Sequence, residues 1–95
     1  MEDAERREEF DTGLRKIRHE IKSRLVPHGL FGTVGYVDLD SGDHVLTGSK
    51  IEIAVMGRTV ERSFSREEIE ACRLKVGGTV LLAIISMVEE LSARP

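Results

Sequence analysis

Residues 50–72, KIEIAVMGRTVERSFSREEIEAC, decide the fold. Lys50 to Met56 alternates, with Ile51, Ile53 and Val55 on one face and Glu52, Ala54 and Met56 on the other. That period of two is a half-buried strand. Gly57-Arg58 reads as a two-residue turn, and Thr59 to Phe64 returns antiparallel. This register sets Val55 opposite Val60, Ile53 opposite Arg62 and Ile51 opposite Phe64. The predicted core face is Ile51, Ile53, Val55, Val60 and Phe64, with Arg62 among them. Immediately afterwards, Ser65-Arg66-Glu67-Glu68 is a capping box, in which the Ser65 hydroxyl accepts from the Glu68 N–H and Glu68 reaches back. Phe64 and Ile69 flank it as a hydrophobic staple. A helix therefore starts at once, with Ile69 and Cys72 on its buried side, and ends near Lys75.

Upstream, TVGYVDLD, Ser41-Gly42 and DHVLTG read as a second hairpin. A two-residue loop opposes Leu39 to His44 and Val37 to Leu46, and a glycine bulge shifts that register by one. Gly48-Ser49 is expected to break or bend the second strand, so the sheet has three or four strands. The segment HGLFGTVG, residues 28–35, is a connection, with Leu30 and Phe31 at the core edge.

Before it, Phe10, Leu14, Ile17, Ile21 and Leu25 are spaced four, three, four and four apart and form one helical stripe. Residues 1–11 carry six acids and two bases, and residues 12–24 carry five bases and one acid, a distribution that suits the helix dipole. Gly13 is the weak point, costing about 1 kcal/mol against alanine. Asp11 or Thr12 is an alternative cap for a shorter helix that leaves residues 1–11 frayed.

Downstream of Gly77-Gly78, a helix from about Thr79 to Ser92 carries Val80, Ile84, Met87, Val88 and Leu91 on one face. Leu81 and Ile85 widen the face, and Leu82 lies near the opposite side. A helix this apolar is buried on more than one side. The second cover is either the first helix or another copy of the chain.

The expected fold class is α+β: one domain over residues 1–95, with an N-terminal helix, an antiparallel meander of three or four strands, and two C-terminal helices packed on one face of the sheet. With 95 residues, 33% charged and 40% hydrophobic, the chain has the composition of a small globular domain. Net charge is −3, which disfavours a protein built to coat nucleic acid. The opening MEDAERREEF lacks the apolar core of a signal peptide. The longest apolar run, Val80 to Ile85, is far short of a span of about 20 residues. A cytoplasmic protein without a membrane partner is expected.

Few residues of the chain carry candidate chemistry. Cys72 cannot form an internal disulfide or a cysteine-cluster metal site, and its acidic neighbours disfavour a thiolate. His19, His28 and His44 lack metal-ligand spacing. Asp38 to Asp43 resembles a calcium loop, but that loop requires Gly at its sixth position and Glu at its twelfth, here Asp43 and Ser49. The glycines of residues 29–35 precede a strand rather than join a strand to a helix, so they are not a phosphate loop. No catalytic, cofactor-binding or metal residue is assigned, and no cofactor is expected.

Helix, strands and helix in this order invite comparison with double-stranded-RNA-binding domains. That family carries a lysine cluster at the start of its last helix, where this chain has Glu67, Glu68 and Glu70. Its function is not carried over.

Three functional readings follow. The first is a non-enzymatic protein-interaction module that forms a homodimer through Val80, Leu82, Ile84, Met87, Val88 and Leu91. The stripe Phe10 to Leu25 is a second pairing surface. A nucleic-acid-associated regulator is the alternative, using the basic face Arg15, Arg18, His19 and Lys22. The last is a small-ligand binder with a groove near Arg62, His44 and Tyr36. Arg62 has its own structural reading, a clamp onto Glu89 or Glu90 of the last helix.

Overall fold

A computed structural model describes residues 4–40, 42 and 46–93. Helix α1 spans Ala4–Leu25 and a 3-10 turn follows at Val26–His28. Strands β1 (Thr33–Asp40), β2 (Leu46–Val55) and β3 (Arg58–Ser65) form an antiparallel meander in the order β1-β2-β3. Helices α2 (Arg66–Ala71) and α3 (Gly78–Ser92) complete the α+β fold. No helix is long and apolar enough to cross a membrane, among the described residues.

The core lies between the helices and one face of the sheet. Phe10, Leu14, Ile17, Ile21 and Leu25 are all buried, as their spacing requires. They meet Ile51, Ile53, Val55 and Phe64 from the sheet, Ile69 and Cys72 from α2 and its end, and Val80, Ile84, Met87, Val88 and Leu91 from α3. Val60 is partly buried against this cluster. Phe31 departs from expectation. Leu30 packs on the core but Phe31 is 76% exposed.

The second hairpin turns one residue earlier than its sequence suggested. Val55 pairs with Arg58, Ile53 with Val60 and Ile51 with Arg62, and Phe64 lies opposite Ser49. The turn is Met56-Gly57, with φ 49° and 81°. Two positive φ values in a two-residue loop follow the strand twist, the property that favours primed turns. The pairing is displaced by two residues, so every side chain keeps its face. The cost falls on Met56, since a side chain other than Asn or Asp is disfavoured there. Met56→Asn is expected to raise stability by about 1 kcal/mol. An unchanged or lower urea midpoint would contradict this reading of the turn.

The first hairpin is also displaced. Val37 pairs with Lys50 and Leu39 with Gly48, and the register shifts between Leu39 and Asp40. His44 and the Asp43 position lie outside the described residues. Gly48 and Ser49 do not break β2, which runs unbroken through them in a three-stranded sheet. A side chain at position 48 would strike the Phe64 carbonyl oxygen, so glycine admits β3 there. Buried Ser49 is satisfied by donating to the Val37 carbonyl at 3.2 Å.

Two helix ends are also corrected. Helix α1 runs continuously through Asp11, Thr12 and Gly13, so neither Asp11 nor Thr12 caps a shorter helix. Gly13, expected as the weak point of the helix, is buried against Ile69 of α2, where a side chain would not fit. Helix α2 stops at Ala71 rather than near Lys75. Its end is tightened by three-residue bonds from Cys72 N–H to the Ile69 carbonyl and from Arg73 N–H to the Glu70 carbonyl.

Candidate functional site

Helix α3 keeps far less apolar surface outside than its sequence suggested. Val80, Ile84, Met87, Val88 and Leu91 are each at most 3% exposed within the single chain. Sheet and α1 cover them together, because α3 packs along β3 on one side and touches α1 on another. These five residues are therefore core, not an interface. Leu82 alone of the six faces solvent, at 67% exposure, with Leu81 and Ile85 half-buried beside it. The stripe Phe10 to Leu25 is likewise enclosed and offers no pairing surface.

Of the other exposed large apolar residues, Val37 lies within β1 and Leu74 follows α2, and Val26, Phe31 and Met56 lie in turns and connections. Leu30 N–H donates to the Leu25 carbonyl at 3.1 Å, which ties the end of α1 to the start of β1. Thr33 pairs with Ala54, and a side chain at Gly32 would strike the Ala54 carbonyl and Val55. Phe31 and Met56 thus stand one residue beyond adjacent chain segments at the same end of the sheet. Val26 belongs to the same end. Their exposures are 76%, 88% and 60%. Periodicity could not find this cluster, since all three residues lie in turns and connections.

Arg58 fastens this end to α3. Its Nη1 donates to the Leu91 and Ala93 carbonyls at 2.8 and 3.0 Å, and its Nη2 donates to the Glu90 carbonyl at 2.8 Å. A helix C-terminus has unpaired carbonyls and a negative dipole end, so a guanidinium fork fits it. The clamp expected of Arg62 is therefore made by Arg58, and to backbone oxygens rather than to Glu89 or Glu90 carboxylates. Arg62 is exposed on an edge strand and makes no hydrogen bond or ion pair among the described residues. A turn at Met56-Gly57 is the sequence signal that would have exchanged the two arginines.

Arg62 and Tyr36, expected at one groove, lie on the two outer strands of the sheet. Both residues pair with Ile51 from opposite sides, and Ile51 is fully buried between them. Tyr36 instead meets α1, where its hydroxyl donates to the Leu14 carbonyl at 2.8 Å. Burial pushes its phenol up to about 12, against an opposing pull from the Arg18 charge.

The basic residues Arg15, Arg18, His19 and Lys22 are all exposed. Arg15 donates to Thr12 Oγ1 at 3.1 Å. None of the four is within ion-pair distance of a carboxylate, among the described residues. The remaining arginines of α1 beyond residue 6 are paired, Arg7 with Asp11 and Asp38 and Arg24 with Glu20. An open groove of about 540 Å³ runs between α1 and β1, lined by Arg7, Glu8, Asp11, Leu14, Arg15 and Tyr36.

The start of α2 carries structural chemistry. Ser65 and Glu68 form the full capping box. Glu68 accepts from Ser65 N–H at 2.9 Å and from the Thr79 hydroxyl at 3.0 Å, joining α2 to α3. The Ser65 backbone bond, with help from Thr79, holds the Glu68 carboxyl below its usual range despite some desolvation. A depressed folded-state pKa contributes stability above the unfolded value, and that stability is lost as pH falls through the folded value. Glu68→Gln is thus expected to cost stability at neutral pH and progressively less below about pH 4. Urea titrations of both proteins at stepped pH check this, and a constant difference would contradict it.

Cys72 is 2% exposed, and burial pushes its thiol up, with Glu68 adding to the shift and a backbone bond from Gly77 opposing it. His19 and His28 are exposed and lie nine residues apart in the chain. No group of three or more potential metal ligands comes together among the described residues. No family model, no curated protein and no solved structure matches the chain.

Proposed function

We propose that this chain is a non-enzymatic protein-interaction module that self-associates as a homodimer through the end of the sheet carrying Val26, Phe31 and Met56. The exposure of both Phe31 and Met56, one before β1 and one after β2 at the Thr33–Ala54 end of the sheet, supports the reading. A phenyl ring and a thioether in water lose about 1.5–3 kcal/mol each of burial free energy, which a self-complementary contact recovers. Arg58 holds the same end rigid, so little ordering entropy is lost on docking. The reading places the protein in the cytoplasm, where a solitary thiol needs no oxidising compartment.

Sedimentation velocity across a roughly hundredfold concentration range tests this. The expected mass is twice 10.6 kDa at high concentration. The double variant Phe31→Ser/Met56→Ser should return a single copy, whereas Leu82→Ser should leave the dimer intact. A single copy at every concentration removes the proposal. A dimer abolished by Leu82→Ser moves the interface to α3.

A further inference from the structure

We propose that the groove between α1 and the free edge of β1 binds an extended, acidic peptide segment of another protein, taken up as a fourth strand. This surface adjoins the apolar end of the sheet at Thr33 but uses none of Val26, Phe31 and Met56.

The edge comes first. β1 is an outer strand, so one side of it presents unpaired backbone donors and acceptors. Proteins blunt such edges with charges, prolines or bulges. Here the charges Asp38 and Asp40 and the register shift at Leu39/Asp40 occupy only the far end of the strand. The stretch Thr33–Val37, TVGYV, carries none of these devices. It is open for about five residues of pairing, the length of an ordinary short strand.

The helix beside it supplies the selectivity. The hydrogen bond from Tyr36 to Leu14 fixes α1 against β1. Arg15 lines the groove, Arg18 is close enough to act on the Tyr36 phenol, and Lys22 follows one turn later on the same side. All three are exposed and have no carboxylate partner among the described residues. They rise along the helix by about 4.5 and 6 Å. Alternate side chains of a strand repeat at roughly 6.6 Å, and those of an added strand would point to the helix side. Carboxylates at alternate positions would therefore meet successive cations, while the backbone pairs with Thr33–Val37.

Two other occupants fit less well. The acids of the groove, Glu8 and Asp11, lie toward its Asp38 end, where Arg7 pairs with Asp11 and Asp38; a five-residue strand on Thr33–Val37 stays beside the cations, whereas a longer nucleic acid runs onto the acids of a chain of net charge −3. A second copy adding antiparallel by β1 would set its own exposed Arg15, Arg18 and Lys22 on the same side of the sheet, like charge toward like charge.

The probe is a fluorescein-labelled peptide alternating glutamate and valine, titrated into the full chain by anisotropy at low and high salt. Salt-sensitive binding is expected, with a loss of about tenfold or more in the double variant Arg18→Glu/Lys22→Glu. Amide resonances of Val34 and Tyr36 should shift and their exchange should slow. A lysine–valine peptide should not bind, and circular dichroism should show the variant folded. The proposal fails if the acidic peptide does not bind at low salt. It also fails if the variant binds equally well, if the amide changes bypass β1, or if single-stranded RNA or DNA binds in preference.

Discussion

Gly13→Ala is expected to lower the stability of this protein by about 1–3 kcal/mol, the opposite of its effect in an ordinary helix. At an exposed helical position the change gains about 1 kcal/mol, because alanine restricts the unfolded chain and favours the helix. Gly13 is not exposed. A methyl carbon built there would overlap the Ile69 carbonyl oxygen, and would lie 2.8 Å from its carbonyl carbon and 3.1 Å from Ile69 Cγ2. The obstacle is backbone, which cannot rotate aside as a side chain can. α1 would have to lift from α2, its most extensive helix partner, and loosen buried Phe10, Leu14 and Ile69 together. Domains of this size are stable by only about 5–15 kcal/mol, so a large share would be lost. Gly35→Ala is the control, since nothing lies within 4 Å of a side chain there. Urea unfolding of both variants decides the matter. A Gly13→Ala protein as stable as its parent would show that the two helices separate freely.

Loss of either partner of the Arg66–Glu70 pair is expected to cost about 3–5 kcal/mol. Arg66 Nε donates to Glu70 Oε2 at 3.0 Å, and the two side chains are only 6% and 12% exposed. Arg66 Nη1 also donates to the Leu46 carbonyl at 3.2 Å, which pins the first turn of α2 to the beginning of β2. An arginine taken from water needs both neutralisation and hydrogen-bond acceptors, and here the fold provides them. Glu70→Ala takes the Glu70 carboxylate away from a buried guanidinium. Arg66→Ala leaves a carboxylate in the same position and also removes the link to Leu46. The double variant Arg66→Leu/Glu70→Leu removes both charges and should cost clearly less than the sum of the single changes. A thermodynamic cycle from urea midpoints measures this coupling. Single variants within 1 kcal/mol of the parent would show that the pair is already solvated.

Arg66 shows a limit of sequence reading. The pattern Ser65-Arg66-Glu67-Glu68 announced the helix start, and the structure carries both reciprocal bonds of the capping box. The same four residues read as cap chemistry gave no sign that Arg66 would be buried. An i,i+4 Arg–Glu pair looks alike on an exposed and on a buried helix face. One acceptor of the buried guanidinium is the Leu46 carbonyl, twenty residues earlier in the chain. The candidate surfaces divide in the same way. The exposure of Arg15, Arg18, His19 and Lys22 followed from their places outside the apolar stripe. Their placement beside a free strand edge required the sheet order and the Tyr36–Leu14 contact.

The sequence by itself determined which segments become helix or strand and which side of each turns inward. Those are consequences of periods of 3.6 and 2 within a few consecutive residues, and every residue of the Phe10 to Leu25 stripe is buried accordingly. Only the tertiary structure decided the hairpin registers, the arginine that caps α3, and the enclosure of α3 itself. A displacement of two residues leaves both faces of a strand unchanged, so alternation could not distinguish Arg58 from Arg62 at the helix end. Nor could composition say whether Val80, Ile84 and Met87 would be covered by this chain or another. That depended on α3 packing against both β3 and α1 of its own chain, contacts between segments far apart in sequence.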